Sequence, residues 1–172
     1  MSQINIAITD ANIFIDLFEL ELLSLLFDLD LAIHTTQEVF LECDKEQQKQ
    51  LATFVKKQQL FVHLLTEEQV KELKTLSFSR RLSFSDQTIL WLAYKEKNMV
   101  LTGDNLIRKW CVKNELEVHG ILWVLEQFTT KDLLTPTKAI AKLKFLMNIN
   151  LWLPTAFCEA LIKKWEEMEK DN

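Results

Sequence analysis

Five acidic side chains in this sequence are placed where they can meet. Asp10 follows the alternating apolar residues Ile4, Ile6 and Ile8. Glu38 and Glu42 lie four apart, Asp86 opens an apolar helical stretch, and Asp104 follows Met99-Val100-Leu101-Thr102-Gly103. Carboxylates crowded together repel one another and raise one another's pKa unless a cation is present. Hard oxygen donors of this kind point to Mg2+ or Mn2+. One or two such ions can clamp a phosphodiester, activate a water and stabilise the leaving oxygen.

The elements that would bring them together are legible. Ser83 or Ser85 can cap a helix carrying Ile89, Leu90, Leu92 and Ala93 inward, and Met99 to Thr102 reads as a short buried strand. About eleven helical residues travel roughly 17 Å and four strand residues return roughly 13 Å, so Asp104 comes back near Asp86. Upstream, a strand ends at Asp10, and Asn12 is read as the cap of a helix from Ile13 to Phe27. Leu29 to His34 is a second strand, Thr36 caps a helix from Gln37, and residues 44–59 form a solvated helix. Leu60 to Leu65 is a third strand, and Thr66 opens a capping box with Gln69, heading a helix to about Leu76. Downstream, Asn105 to Asn114 is helical, Leu116 to Val118 is a brief strand, and Gly120, Pro136 and Pro154 introduce three further helices. Strands alternating with helices predict an α/β fold, a three-layer αβα sandwich with a mostly parallel central sheet. In such a sheet the carboxyl ends of the strands share one edge, and Asp10, Glu38, Glu42, Asp86 and Asp104 all fall there.

Bulk properties set limits. The chain has 172 residues, 48% hydrophobic and 26% charged, with two Gly and two Pro. It is read as a single domain over 1–172, with a core of about 1–130 and a helical extension of about 131–172. A net charge of −5 opposes bulk electrostatic binding to nucleic acid, although it permits a grip on a few phosphates through metal ions. Cys43, Cys111 and Cys158 are odd in number and widely spaced, as for reduced thiols in a cytoplasm. There is no signal-like start and no apolar run of membrane-spanning length. The expectation is a soluble cytoplasmic protein without membrane attachment.

Three stretches carry a resemblance. ITDANIFIDL, TTQEVFLEC and LSFSDQTILWLAYKEKNMVLTGDNLIRKW are similar to the motifs of the PIN-domain ribonucleases, especially the VapC-type toxins of toxin–antitoxin pairs. The likeness covers about Ile4 to Phe128. It implies that Asp10, Glu42, Asp86 and Asp104 are the catalytic, metal-binding acids, with Mg2+ or Mn2+ as one or two ions. It further implies an endoribonuclease leaving 5′-phosphate and 3′-hydroxyl ends, with an RNA substrate, a homodimeric state and a small antitoxin partner. The chain departs from the common pattern in its carboxyl-terminal helices, its acidic balance, and Gly103 where a second Asp is often found.

Other readings stand beside these. Glu38 shares a helix face with Glu42 and can serve instead. Asp16 reads as a helix-surface residue, Asn12 as a cap with a supporting role open to it, and Thr102 as a hydrogen-bond partner of a ligating carboxylate. His34 and His63 read as core-edge residues. Arg80, Arg81, Arg108 and Lys109 flank the site, either as phosphate contacts or as fold-stabilising ion pairs. Trp152, Phe157 and Trp165 form either a docking surface or packing against the sheet. The alternative functions are a catalytically silent PIN-like binding module and a haloacid-dehalogenase-like phosphatase. The phosphatase expects an acid at position 12, which is Asn.

Overall fold

The computed structural model describes residues 5–170. Ile4, assigned above to the first strand, lies outside the described residues. Five strands, β1 (Asn5–Thr9), β2 (Leu31–Thr36), β3 (Leu60–His63), β4 (Met99–Leu101) and β5 (Val118–His119), form one sheet in the order β3-β2-β1-β4-β5. Every pairing is parallel. The central position of β1 explains its sequence: Ala7, Ile8 and Thr9 are fully buried, as a strand covered on both faces requires. Helices surround the sheet, as an αβα sandwich requires.

The chain order matters more than the strand count. The chain runs from β1 outward through β2 to β3, then crosses back to β4 and continues to β5. Strand order therefore reverses between β1 and β4. In open parallel sheets a crevice forms at that reversal, outside the carboxyl ends of the strands. Asp10 follows β1 and Asp104 follows β4, so the two acids flank it.

The helices are α1 (Ala11–Glu19), α2 (Leu23–Leu26), α3 (Gln37–Glu42), α4 (Lys45–Lys56), α5 (Glu67–Leu73), α6 (Phe84–Glu96), α7 (Asn105–Lys113), α8 (Ile121–Thr130), α9 (Pro136–Ile149) and α10 (Thr155–Lys170). The single helix expected from Ile13 to Phe27 is two. Glu21 adopts a left-handed φ of 56°, and the chain turns there. In a straight helix at 3.6 residues per turn, buried Phe14, Leu17 and Leu20 would lie roughly half a turn from buried Leu22, Leu23 and Leu26. The break lets both groups face the core.

The caps follow the sequence closely elsewhere. Thr66 and Ser83 each form a reciprocal capping box, with Gln69 and Asp86. At the carboxyl end, α9 and α10 pack on each other and α10 packs on α8. Leu143, Leu146, Cys158 and Trp165 are fully buried in the same contiguous core as the sheet. Trp165 Nε1 donates to Thr129 Oγ1 at 3.1 Å. Its expected partners behave differently: Trp152 is 94% exposed and Phe157 70%. Of these three aromatics only Trp165 packs inward.

Candidate active site

Asp10 is the most constrained of the acids. Its backbone N–H donates to Leu101 O at 3.0 Å, fixing the end of β1 against β4. Asp10 itself caps α1, its Oδ1 accepting from Ala11 N at 2.7 Å, which corrects the expectation that Asn12 is the cap. Oδ2 accepts from Asn12 Nδ2 at 2.6 Å and from Thr102 Oγ1 at 2.8 Å. The residue is only 4% exposed. Burial pushes its carboxyl up to about 6, against the hydrogen bonds from Thr102 and Ala11, and the charges of Asp86 and Glu42 push the same way.

Asn12 and Thr102 join the two sides of the crevice. Asn12 Oδ1 accepts from Gly103 N at 2.8 Å, and Thr102 Oγ1 accepts from Asp104 N at 3.0 Å. The turn carrying Asp104 is thereby hung from the same two side chains that hold Asp10. Thr102 makes the expected hydrogen bond to the Asp10 carboxylate, and Asn12 is a clamp. A Cβ on Gly103 would lie 3.4 Å from Asn12 Oδ1, an ordinary contact. Space alone therefore does not require a Gly there.

Asp86 and Asp104 are both used as helix caps. Asp86 Oδ2 accepts from Ser83 N at 2.7 Å in the capping box of α6. Asp104 Oδ1 accepts from Leu106 N at 2.6 Å and Ile107 N at 3.0 Å at the start of α7. Carboxylates near helix amino termini are favoured by the dipole as well as by the hydrogen bonds. The remaining oxygen of each accepts no hydrogen bond from the described residues. Glu42, the last residue of α3, accepts from Ser85 Oγ, and Ser85 in turn pairs with Ser83 Oγ at 2.9 Å.

Glu38 and Glu42 differ in their surroundings. The charge felt at Asp10 is that of Glu42. Glu38 Oε2 is buried and has no hydrogen-bond partner among the described residues. The structure thus brings Asp10, Glu42 and Asp86 within electrostatic reach and hangs Asp104 from Thr102 beside them. Among the described residues, no three His, Cys, Asp or Glu side chains converge tightly enough to enclose a metal ion by themselves. An all-oxygen donor set still suits Mg2+ or Mn2+, because Mg2+ characteristically keeps several waters and takes only one or two carboxylates directly. A raised Asp10 beside two further carboxylates is also the electrostatic setting that a cation would relieve.

A sequence-family model described as PIN domain matches residues 6–167. The chain belongs to the PIN-domain family. No curated protein matches the chain. The match extends beyond the three motif stretches and takes in α8, α9 and most of α10, so these helices belong to the family's pattern here. PIN domains are generally nucleases, and so hydrolases, and typically use divalent metals.

One smaller expectation needs correction, while His34 and His63 are half-buried at the core edge as expected. Asp16 is not a free surface residue: it accepts from Asn150 Nδ2 at 3.0 and 3.2 Å. Burial pushes its carboxyl up to about 6. His34 and His63 are a pair, with Nδ1 and Nε2 at 2.8 Å across β2 and β3. Of the two serines offered as caps of α6, Ser83 is the cap and Ser85 instead donates to Glu42, a role its place in the sequence did not suggest.

Proposed function

We propose that this PIN domain is a Mg2+- or Mn2+-dependent endoribonuclease, and that it acts as the toxin of a toxin–antitoxin pair. The observation that carries the nuclease reading is the buried Asp10. It stands at the strand-order reversal within reach of the Glu42 and Asp86 charges, and Asn12 and Thr102 hold both it and the turn that carries Asp104. Asp10, Glu42, Asp86 and Asp104 would hold the metal, directly or through water. A bound divalent ion supplies charge neutralisation of the scissile phosphate and a more acidic water. The chain's own residues do the positioning. Thr102 and Asn12 fix the direction of Asp10, Ser85 fixes Glu42, and the helix caps set the depth of Asp86 and Asp104. Above about pH 6 Asp10 gives up its proton and becomes available as a ligand.

The toxin role, the RNA substrate, a homodimeric state and a small antitoxin rest on the motif resemblance together with family membership. Among the described residues no helix is long and apolar enough to cross a membrane. The deciding experiment is cleavage of a fluorescent single-stranded RNA by the purified protein. Cleavage is expected with Mn2+, not with EDTA, and Asp10→Asn should lower the rate more than about a hundredfold. Metal-independent cleavage, or cleavage indifferent to Asp10, would refute the mechanism. The silent-module reading draws on one observation, the use of Asp86 and Asp104 as caps, and predicts no cleavage in any of these conditions.

A further inference from the structure

Arg108, on α7, is a cation beside an acidic site, and such residues commonly form ion pairs. This one does not. Among the described residues Arg108 has no carboxylate within salt-bridge distance. Its guanidinium lies across the ends of the two strands on one side of the crevice. Nη2 donates to Thr102 O, after β4, and Nη1 to Val118 O, in β5, both at a long 3.4 Å. Thr102 is the residue whose hydroxyl holds Asp10, so the guanidinium stands one residue away from the acid cluster. Two weak bonds to carbonyls leave most of a five-donor fork unused.

Gly120 makes room for it. A Cβ at that position would stand 3.2 Å from Arg108 Nη2 and 3.4 Å from Thr102 O. The backbone of Gly120, at φ −113° and ψ −173°, is extended and open to any residue, so the close approach of the guanidinium is what a side chain would disturb. The first turn of α8 beyond it carries no acidic side chain to capture the cation. On the β2–β3 side, by contrast, α3 packs against both strands and ends in Glu42.

We propose that Arg108 is a phosphate-binding residue of the site, and that a single-stranded nucleic acid leaves the acid cluster over the β4–β5 side. This rests on the nuclease reading above. A guanidinium fork matches two phosphate oxygens, and a strand crossing on the β2–β3 side would meet the Glu42 carboxylate instead. The contact is to the backbone, so it attracts RNA and DNA strands alike.

The test is fluorescence anisotropy with a labelled single-stranded RNA, and with a DNA of the same sequence, in an Asp10→Asn background that does not cut. In that background Arg108→Ala should weaken binding about tenfold for both strands. It should also make the dependence of log affinity on log salt shallower by about 0.7, the share of one phosphate contact on a single strand. Arg108→Lys should restore the slope with part of the affinity. Gly120→Ala, which only crowds the guanidinium, should give a smaller loss at unchanged helical content. Unchanged affinity and slope in Arg108→Ala, in a parent that binds, would overturn the assignment and leave the nuclease reading standing. If Arg108→Ala does not fold, Gly120→Ala decides in the same way. A parent that binds neither strand would overturn both readings.

Discussion

Asp10 is where burial and chemistry pull in opposite directions. A carboxyl raised to about 6 from 3.8 holds its proton more tightly in the folded state than in the unfolded chain. Its contribution to stability is therefore full below about pH 4 and lost as pH rises through about 6. A divalent ion binds the ionised form, so stabilisation by Mn2+ should grow over the same interval. Thr102→Val removes the hydroxyl that donates to Asp10 and accepts from Asp104 N. It should cost about 1–3 kcal/mol, because a buried polar partner is left unpaired. It should also move the rise of the Mn2+-induced Tm shift to higher pH, since a hydrogen bond favouring the charged form is gone. A pH series of thermal melts, with and without Mn2+, checks both effects; an unmoved midpoint would contradict the role assigned to Thr102. At this scale the sequence singled out Asp10, Asp86 and Asp104 because an acid at a strand end or helix start is a local feature. Glu38 and Glu42 were not told apart locally, since residues four apart share a helix face; what distinguishes Glu42 is its bond from Ser85 on α6.

At the scale of elements, the helices owe their ends to caps and their seats to tertiary packing. Capping boxes at Thr66 and Ser83 are readable because the residues involved lie three apart in sequence. The break at Glu21 is different. Nothing in residues 13–27 is a Gly or Pro, and the reason for turning lies in the core that Leu22, Leu23 and Leu26 must reach. The largest side chain seating α10 is Trp165, fully buried in the core with Cys158 and bonded through Nε1 to Thr129 on α8. Trp165→Ala should destabilise the protein by about 3–5 kcal/mol in urea unfolding, and Trp165→Phe by less. A loss below about 1 kcal/mol for the alanine variant would mean that α10 is not integral to the core. The exposed Trp152 offers the control, since its replacement by alanine should change stability by no more than about 0.5 kcal/mol.

For the molecule as a whole, the parallel sheet with its order reversed between β1 and β4 gathers acids from four separate stretches of chain. If they hold a divalent ion, binding to the native state alone should raise Tm. At a concentration one hundred times the dissociation constant the gain is about 2.7 kcal/mol, or roughly 5–11 °C for a domain of this size. Asp86→Asn should abolish most of that gain, and differential scanning fluorimetry with MgCl2 or MnCl2 measures it. No shift at tens of millimolar metal would count against a working metal site. By itself, the sequence determined the alternation of strands and helices, the main caps and the acids at strand ends. Each of those is written in residues within a few positions of one another, through hydrophobic period and local hydrogen bonding. Only the tertiary structure decided that Asn12 clamps the Asp104 turn, that Ser85 holds Glu42, that Asp16 meets Asn150 and that Arg108 lies unpaired across two strand ends. The first three of these contacts join residues 91, 43 and 134 positions apart, and Arg108 is placed by two strands that the sheet makes neighbours. They are set by which elements the sheet order makes neighbours, and no local spacing records that.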